Sequence, residues 1–350
     1  MFGPQPWLPR VGAIKNSALS AVALALAMTM AAPAHAAPTK SKSQLTSPQK
    51  KKVETVRKKT ASGAVRQAKR RAGATRAPAP SMRYASRVGD LMLESDAIMV
   101  MDQRTGMPLL EKNSGDARPI ASITKLMTAM VVLDAGLPMN ERIQILDADV
   151  DRVKFSTSRL AVGTTLSRQE MLHLALMASE NRAAHSLART YPGGMPAFLA
   201  AMNRKARSLG MTSAQFFDPT GLDARNVASP KDLARMVSAA ADYSKIREFS
   251  TDGQMQVAIA RHQQVFRNTN PLVQRDSWDI GVSKTGYIRE AGRCLVMQAM
   301  IKGRETLIVL MDGQRRESRI LDSVAVRQWL EKTDQRTTLK AADLMHNNTV

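Results

Sequence analysis

Residues 119–128 read PIASITKLMT and place a serine and a lysine, Ser122 and Lys125, three positions apart. Apolar residues continue at helical spacing up to Gly136, so we expect a helix over residues 122–135. Side chains three positions apart lie on one face of a helix, which would bring the Lys125 ammonium beside the Ser122 hydroxyl. A serine needs a base to become a nucleophile, and a lysine acts as one only when burial or nearby positive charge lowers its pKa. The stretch therefore predicts a nucleophile, Ser122, with its base, Lys125.

A second short motif, Ser179-Glu180-Asn181, lies between two stretches with helical spacing. We expect a turn there, which would direct the side chains of Ser179 and Asn181 into a cleft. The hydroxyl of Ser179 is suited to relaying a proton to a leaving amine. The amide of Asn181 is suited to a hydrogen bond with a peptide carbonyl. The motif thus adds two polar groups to the predicted site.

A third motif, Lys284-Thr285-Gly286, is expected at the end of a strand. Lys284 is the natural candidate for the positive charge that would help to lower the pKa of Lys125. Gly286 would let a substrate backbone approach the strand closely. The backbone N–H of Tyr287, together with that of the candidate nucleophile, is suited to an oxyanion hole.

The three motifs are informative only as an ordered set. Ser47-Pro48-Gln49-Lys50 also has the serine–lysine spacing, and it lies in a segment that is too polar to fold. A chain of this length contains roughly one such spacing by chance. The ordered set, in its helix, turn and strand contexts, is typical of serine–lysine acyl transfer.

The chain has 350 residues, 44% of them hydrophobic, which is enough for a substantial core. Two N-terminal strands flank a turn at residues 104–106, helices with recognisable caps follow, and the pattern then shifts to strands and a final helix. We therefore expect one α/β (α+β) domain, in which an antiparallel sheet combines both chain ends and a helical block lies beside it. The predicted strands are Ala97–Met101, Met107–Leu110, Gln256–Arg261, Ile280–Lys284, Arg293–Ile301 and Thr306–Met311. The predicted helices begin near Ser122, Ser167, Gly194, Pro230 and Ser318, and the last one ends near Leu330.

Residues 1–36 are typical of a secretory signal, because Arg10 and Lys15 precede an apolar stretch and an A-x-A site ends at Ala36. The apolar stretch is short for a membrane span, although an uncleaved N-terminal anchor is the alternative. We therefore expect export to the periplasm, with the mature chain starting after Ala36. The predicted domains are the signal 1–36, a basic disordered linker 37–85, a catalytic domain 86–332 and a polar, irregular tail 333–350.

The net charge of +21 is concentrated in the predicted linker. Residues 37–80 contain 13 Lys and Arg residues against a single acid, Glu54. This segment has too few branched apolar residues to bury a core. It is either a solvated linker or an electrostatic tether to an anionic envelope surface. Aromatic residues do not alternate with its charges, so we do not expect nucleic-acid binding.

The sequence predicts no disulfide, metal or cofactor. Cys294 is the only cysteine and lies in an apolar run, so we expect a buried thiol. The histidines lack the spacing of a metal site such as H-E-x-x-H. They are His35, His173, His185, His262 and His346.

The three motifs and their flanks are similar to low-molecular-weight penicillin-binding proteins, the serine D-Ala-D-Ala peptidases, over roughly residues 90–330. Other similar segments are Phe217–Leu222, Gly281–Gly286 and Ala291-Gly292. The resemblance implies the penicillin-binding-protein/β-lactamase-like fold, peptidoglycan stem peptides as substrates and β-lactams as covalent inhibitors. It implies Ser122 as the acyl-ester nucleophile, Lys125 as the base and Ser179 as a further catalytic residue. The substrate-binding residues that it implies are Asn181, Lys284, Thr285, Gly286 and Tyr287.

Within this family the likeness is closest to the D-alanyl-D-alanine endopeptidase branch, which cleaves cross-links between stem peptides. The similar segments are Ser179–Ala184 and Tyr191–Gly194, and the chain ends soon after its last predicted helix, without room for the extra β-domain of many carboxypeptidases. Ile288 stands where many relatives carry a threonine, a change that would weaken carboxypeptidase action unless Arg289 or Arg293 compensates. We therefore expect an endopeptidase, with a D-Ala-D-Ala carboxypeptidase as the alternative.

Two other functions fit the sequence less well. A class A β-lactamase needs a glutamate that activates the deacylating water, and no E-x-x-L-N segment lies between Asn181 and Lys284. A non-catalytic wall-binding protein held by its basic segment would have lost part of the motif set, whereas all the polar side chains of that set are present.

Overall fold

The computed structural model describes residues 86–88, 90–259 and 262–347. The predicted signal, residues 1–36, and the predicted linker, residues 37–85, lie outside the described residues. The helices in the described ranges are α1 Thr124–Asp134, α2 Arg168–Met177, α3 Asn181–Arg189, α4 Gly194–Ser208, α5 Pro230–Ala240, α6 Ser244–Thr251 and α7 Ser318–Asn347. The strands are β1 Ser86–Val88, β2 Leu91–Leu93, β3 Ala97–Asp102, β4 Pro108–Lys112, β5 Arg118–Pro119, β6 Arg142–Gln144, β7 Thr165–Ser167, β8 Val227–Ala228, β9 Gln254–Ile259, β10 His262–Arg267, β11 Asp279–Ile288, β12 Gly292–Ile301 and β13 Arg304–Gly313.

A five-stranded antiparallel sheet combines strands from both ends of the described chain, in the order β11-β12-β13-β3-β4. The hairpin β3–β4 contributes two of these strands, and the last three strands of the chain contribute the others. The α+β fold predicted from the sequence is therefore confirmed. β11 lies at one edge of the sheet, and an edge strand presents backbone groups to which a further extended chain can add.

Both faces of the sheet are buried, which explains why β12 and β13 are apolar without alternation. Val296 and Val309 belong to the core that the sheet shares with the helical block. Their neighbours Leu295 and Leu310 point to the opposite face and belong to a second core that includes Leu330 of α7. The sheet thus separates the helical block from α7, and the edge strand β11 packs against α6 and the turn before α1.

The end of the chain differs from the prediction. α7 continues to Asn347, whereas we expected it to end near Leu330 and residues 331–350 to be irregular. No glycine or proline lies between Leu330 and Asn347, and most residues there are good helix formers, so nothing local ends the helix. In the described part of the chain, no helix has both the length and the apolar character needed to cross a membrane.

The strand predicted over Gln256–Arg261 is also placed differently. β9 starts earlier and pairs with β10 in a separate two-stranded sheet rather than with the main sheet. Neither β10 nor α6 was predicted. β10 is largely polar, and α6 has only 8 residues, too few for a helical period to stand out from the sequence.

Candidate active site

A tight turn fixes Ser122 at the start of α1. A 3-10 turn over Ala121–Ile123 precedes this helix, and Ala121 has a φ of +48°, in the left-handed region. The Thr124 hydroxyl donates to the Ala121 carbonyl at 2.8 Å, and the Asn226 amide donates to the same hydroxyl at 3.1 Å. Buried hydrogen bonds therefore hold a backbone conformation that would otherwise be costly.

Two glycines let other segments pack against this turn. At Gly286 an added Cβ would lie 3.0 Å from the Ile120 carbonyl oxygen and 3.2 Å from the Ser122 nitrogen. At Gly221, which has a φ of +84°, an added Cβ would overlap the Ala121 carbonyl. We expected Gly286 to admit a substrate backbone, but the groups nearest to its missing side chain belong to the chain's own turn before α1. The glycine brings β11 against Ser122.

Lys125 lies at the floor of the cleft, fully buried, and donates three hydrogen bonds. Its Nζ lies 2.8 Å from Ser122 Oγ, as the spacing predicted. It also lies 2.7 Å from Asn181 Oδ1 and 2.8 Å from the Thr220 carbonyl oxygen. Three acceptors match the three hydrogens of an ammonium, so the charged form of Lys125 is satisfied although it is buried.

Burial lowers the pKa of Lys125 to about 7, while the carboxylates of Asp218 and Glu180 act in the opposite direction. When the amine loses a proton it gains a lone pair, so one of its three contacts must reverse. Two of the acceptors are carbonyl oxygens, which cannot donate, whereas the Ser122 hydroxyl can. Deprotonation of Lys125 therefore makes Ser122 the donor and draws its proton toward Nζ.

The second motif forms the turn between α2 and α3. Ser179 has a φ of +60°, and its Oγ lies 2.9 Å from Nζ of Lys284. Asn181 is the first residue of α3 and contacts Lys125 through Oδ1. Its Nδ2 donates to Ser156 Oγ at 2.9 Å, which fixes the orientation of the amide. The turn thus contacts both lysines of the cleft, Lys284 through Ser179 and Lys125 through Asn181.

Lys284 lies within β11, which continues to Ile288 instead of ending at the third motif as we expected. Besides its contact with the second motif, Nζ donates to the Thr285 carbonyl at 2.9 Å. Burial lowers its pKa well below the usual lysine range, and the positive charges of Lys125 and Arg319 add to that effect. The positive charge of Lys125 therefore helps to lower the pKa of Lys284, but burial alone lowers the pKa of Lys125, so the contribution that we expected from Lys284 is not among its causes.

The residues after Lys284 complete the cleft wall. The Thr285 hydroxyl donates to Thr269 Oγ1 at 2.6 Å. The Tyr287 ring is half exposed, and the Arg293 guanidinium carbon lies 3.7 Å from its centre. One cleft therefore contains all the site residues predicted from the sequence, namely Ser122, Lys125, Ser179, Asn181, Lys284, Thr285, Gly286 and Tyr287.

Some groups that hold the site were not predicted. The Asp218 carboxylate accepts the backbone N–H groups of Thr220 and Gly221, each at 3.0 Å, and so shapes the loop whose carbonyl contacts Lys125. A turn composition, Asp-Pro-Thr-Gly, was the only local signal for this loop. Ser156 orients the second motif from a loop that carries no recognisable pattern.

Comparisons with known proteins agree with this geometry. Residues 84–315 match the S11 peptidase family, described as D-alanyl-D-alanine carboxypeptidase. The chain is 44% identical over 253 residues to a D-alanyl-D-alanine endopeptidase of Pseudomonas aeruginosa, which covers 71% of this chain and 81% of the relative. It is 42% identical over 241 residues to a D-alanyl-D-alanine endopeptidase of Escherichia coli, with coverage of 68% and 78%.

Among solved structures, the crystal structure of the Streptomyces K15 DD-transpeptidase is similar, with a TM-score of 0.64 and 26% sequence identity. The match covers 68% of this chain and 97% of that one. It agrees with the penicillin-binding-protein fold that the family resemblance implied. The sequence match, the fold and the serine–lysine cleft show that this chain belongs to the S11 family of serine D-Ala-D-Ala peptidases, the low-molecular-weight penicillin-binding proteins.

Proposed function

We propose that this peptidase hydrolyses D-alanyl cross-links between peptidoglycan stem peptides through an acyl-enzyme on Ser122. The buried 2.8 Å contact between Lys125 Nζ and Ser122 Oγ supports this proposal most directly. With a pKa of about 7, Lys125 is neutral in a large share of molecules at neutral pH. A lysine with the usual pKa of about 10.4 would almost never be neutral there. The two relatives named endopeptidases support the choice of bond.

Acylation begins when neutral Lys125 takes the proton of Ser122 and Oγ attacks the carbonyl carbon of the donor stem's D-alanine. The carbonyl oxygen becomes an oxyanion, to which the backbone N–H groups of Ser122 and Tyr287 donate. As the C–N bond breaks, the proton held by Lys125 reaches the leaving amine through the hydroxyl of Ser179. The donor remains as an ester on Ser122, and the acceptor stem leaves with a free amine.

Deacylation repeats these steps with water in place of the serine hydroxyl. Lys125, neutral again, takes a proton from water, and the water oxygen attacks the ester carbonyl. The bond to Ser122 Oγ breaks, and the serine recovers its proton from Lys125. The second product is a donor stem that ends in a D-alanine carboxylate.

The other motif residues bind the substrate in this scheme. The Asn181 amide donates to a carbonyl of the donor stem when its hydrogen bond with Ser156 is exchanged. Lys284 and Thr285 bind the carboxylate that neighbours the leaving amine. The positive surroundings of Lys284 support this role, because an arriving anion would stabilise a charge that burial disfavours.

We also propose where the protein acts and what inhibits it. β-Lactams, which resemble the D-Ala-D-Ala unit, would acylate Ser122 as covalent inhibitors. The signal-like residues 1–36 support export to the periplasm. The basic residues 37–80 would attach the enzyme to an anionic envelope surface.

A carboxypeptidase that trims the terminal D-alanine of pentapeptides is the second candidate. The description of the family and the cationic Arg293 beside Tyr287 favour it, because a terminal carboxylate needs a positive partner. Ile288 favours the endopeptidase, since it is buried in the core and offers no hydrogen-bond donor to a carboxylate.

The two candidates differ in their products. The full chain should be incubated with purified cross-linked muropeptide dimers and, separately, with monomeric pentapeptides, and the products identified by chromatography and mass spectrometry. We expect dimers to become monomers faster than pentapeptides lose D-alanine, and the Ser122→Ala variant to do neither. Release of D-alanine from pentapeptides while the dimers stay intact would overturn the endopeptidase assignment.

A further inference from the structure

An ion pair joins the two walls of the cleft at one end. Lys154 Nζ lies 2.5 Å from Glu290 Oε1, although the two residues are 136 positions apart in the chain. Lys154 belongs to the loop between β6 and β7, and Glu290 to the turn between β11 and β12. Their side chains stay 31% and 41% exposed, so a ligand in the cleft can reach both of them.

The loop that carries Lys154 is attached to the active site. The Asp151 carboxylate accepts the backbone N–H groups of Lys154 and Ser156 at 3.0 and 2.8 Å. Ser156 in turn accepts from the amide of Asn181. Lys154 is therefore only two positions from Ser156, a side chain that positions the second motif, and its charge is held at the cleft rather than in open solvent.

Glu290 is tied to the third motif on the opposite wall. Glu290 lies four positions after Gly286, in the turn that follows β11. At about 3.3 Å per residue, its backbone is at most about 13 Å from Gly286, the point at which the strand passes Ser122. An extended donor peptide covers that distance with roughly three or four residues.

The polar groups of the cleft fix the direction in which a donor peptide would run. The hydroxyl of Ser179 and the ammonium of Lys284 lie on the N-terminal side of Gly286 along β11, and they serve the leaving amine in the proposed reaction. The acyl donor must therefore extend the other way, toward Glu290. Addition of an extended chain to the free edge of β11 follows the same line.

We propose that Lys154 and Glu290 form a subsite for a donor-stem residue whose side chain carries both an ammonium and a carboxylate. This assignment rests on the proposed function, because it uses the direction of the donor in that reaction. In the free enzyme the two charges neutralise each other. A zwitterionic side chain replaces that contact with two, its carboxylate meeting Lys154 and its ammonium meeting Glu290.

A purely structural role explains the pair less well. An ion pair that is this exposed contributes about 0–1 kcal/mol to stability, because water screens it. Each member also has a second opposite charge nearby, Asp223 near Lys154 and Arg289 near Glu290, so neither charge depends on the pair alone for a partner. Exposed opposite charges at a cleft mouth are suited to choosing between ligands, since they reject a side chain that carries only one of the two charges.

The test uses two penicillins that differ only at the end of the acyl side chain. One side chain ends in an α-amino acid and the other in an uncharged group. We expect the full-length wild-type enzyme to be acylated about tenfold faster by the zwitterionic penicillin, a difference of about 1.4 kcal/mol. Lys154→Met and Glu290→Gln should each bring the two rates to within about twofold of one another.

Arg152→Met is the matched control, because Arg152 lies on the same loop but its exposed side chain pairs with Asp147. This variant should keep the wild-type preference. Equal rates for the two penicillins in the wild type, or an equal loss of preference in the control, would overturn the subsite. Absence of any adduct with either penicillin would instead contradict the proposed chemistry of Ser122, and the subsite that rests on it.

Discussion

The helical wall and the sheet wall of the cleft each bury a lysine, but they surround it differently. Lys125 on the helical wall has three hydrogen-bond acceptors, and the carboxylates of Asp218 and Glu180 oppose the effect of burial on its pKa. Lys284 on the sheet wall has two acceptors and positive neighbours, among them Arg319. The first environment keeps the pKa of Lys125 near neutral pH. The second environment disfavours the charge of Lys284 until an anion arrives.

This difference assigns separate tasks to the two residues. A base must gain and lose a proton near neutral pH, and Lys125 meets that condition with a pKa of about 7. An anion-binding group should be strongly stabilised in its charged form when a carboxylate enters. Lys284 meets that condition because burial and its positive neighbours disfavour that charge in the free enzyme. If either lysine could replace the other, this division of tasks would be wrong.

Loss of the base should have the largest effect. We expect Lys125→Met to lower the rate of acylation by β-lactams by about 10³–10⁴, because the Ser122 hydroxyl then has no partner that accepts its proton. Lys125→Arg should be equally slow, since a guanidinium keeps its proton throughout the accessible pH range. Stopped-flow acylation measures the rate, and thermal unfolding checks that the variants are folded. Substantial activity in either folded variant would exclude Lys125 as the base.

Loss of the anion-binding lysine should have a smaller effect that depends on the ligand. We expect the wild type to react about 10–100-fold faster with a penicillin than with the methyl ester of its carboxylate, because the ester cannot pair with Lys284. In Lys284→Met the two compounds should react at similar rates. The measurement is the second-order rate constant of acylation for each compound. An undiminished preference in the variant would place the carboxylate elsewhere.

The smallest effect concerns stability and follows from the pKa of Lys125. The folded lysine has a pKa of about 7, and the unfolded one about 10.4, so between these values the unfolded chain binds more protons. The free energy of unfolding should therefore rise from pH 7 to 9, by on the order of 1 kcal/mol per pH unit, and fall as the pH returns to 7.

Denaturant titrations of the wild type and of Lys125→Met at pH 7 and 9 measure this effect, and the variant should show a smaller rise. The range stops at pH 9 because burial raises the pKa of the Cys294 thiol to about 11. Above pH 9 that thiol would offset the rise, since it ionises first in the unfolded chain. Equal slopes in the two proteins would show that Lys125 titrates normally.

The sequence predicted the parts of the site that depend on local spacing. Ser122 and Lys125 lie three positions apart at a helix start, and this spacing was enough to predict their contact. The order of strands and helices was enough to predict a sheet that combines both chain ends. Cys294 is buried in β12, as its apolar surroundings indicated.

Contacts between distant segments could not be read in the same way. The third acceptor of Lys125 is the Thr220 carbonyl, a backbone group that has no signature in residue type. Gly286 was assigned to substrate access, and only the fold reveals that it brings β11 against the turn before α1. The left-handed conformation of Ser179 is likewise imposed by its surroundings, since serine has no intrinsic preference for it.

The central claim is that Ser122 is the nucleophile of a serine–lysine acyl-transfer centre, and intact-mass analysis after incubation with a penicillin tests it most directly. We predict one covalent adduct per chain in the wild type and in Ser47→Ala, which removes the serine of the second, accidental serine–lysine spacing. We predict none in Ser122→Ala. An adduct that persists in Ser122→Ala, or a wild type that forms none, would contradict the account.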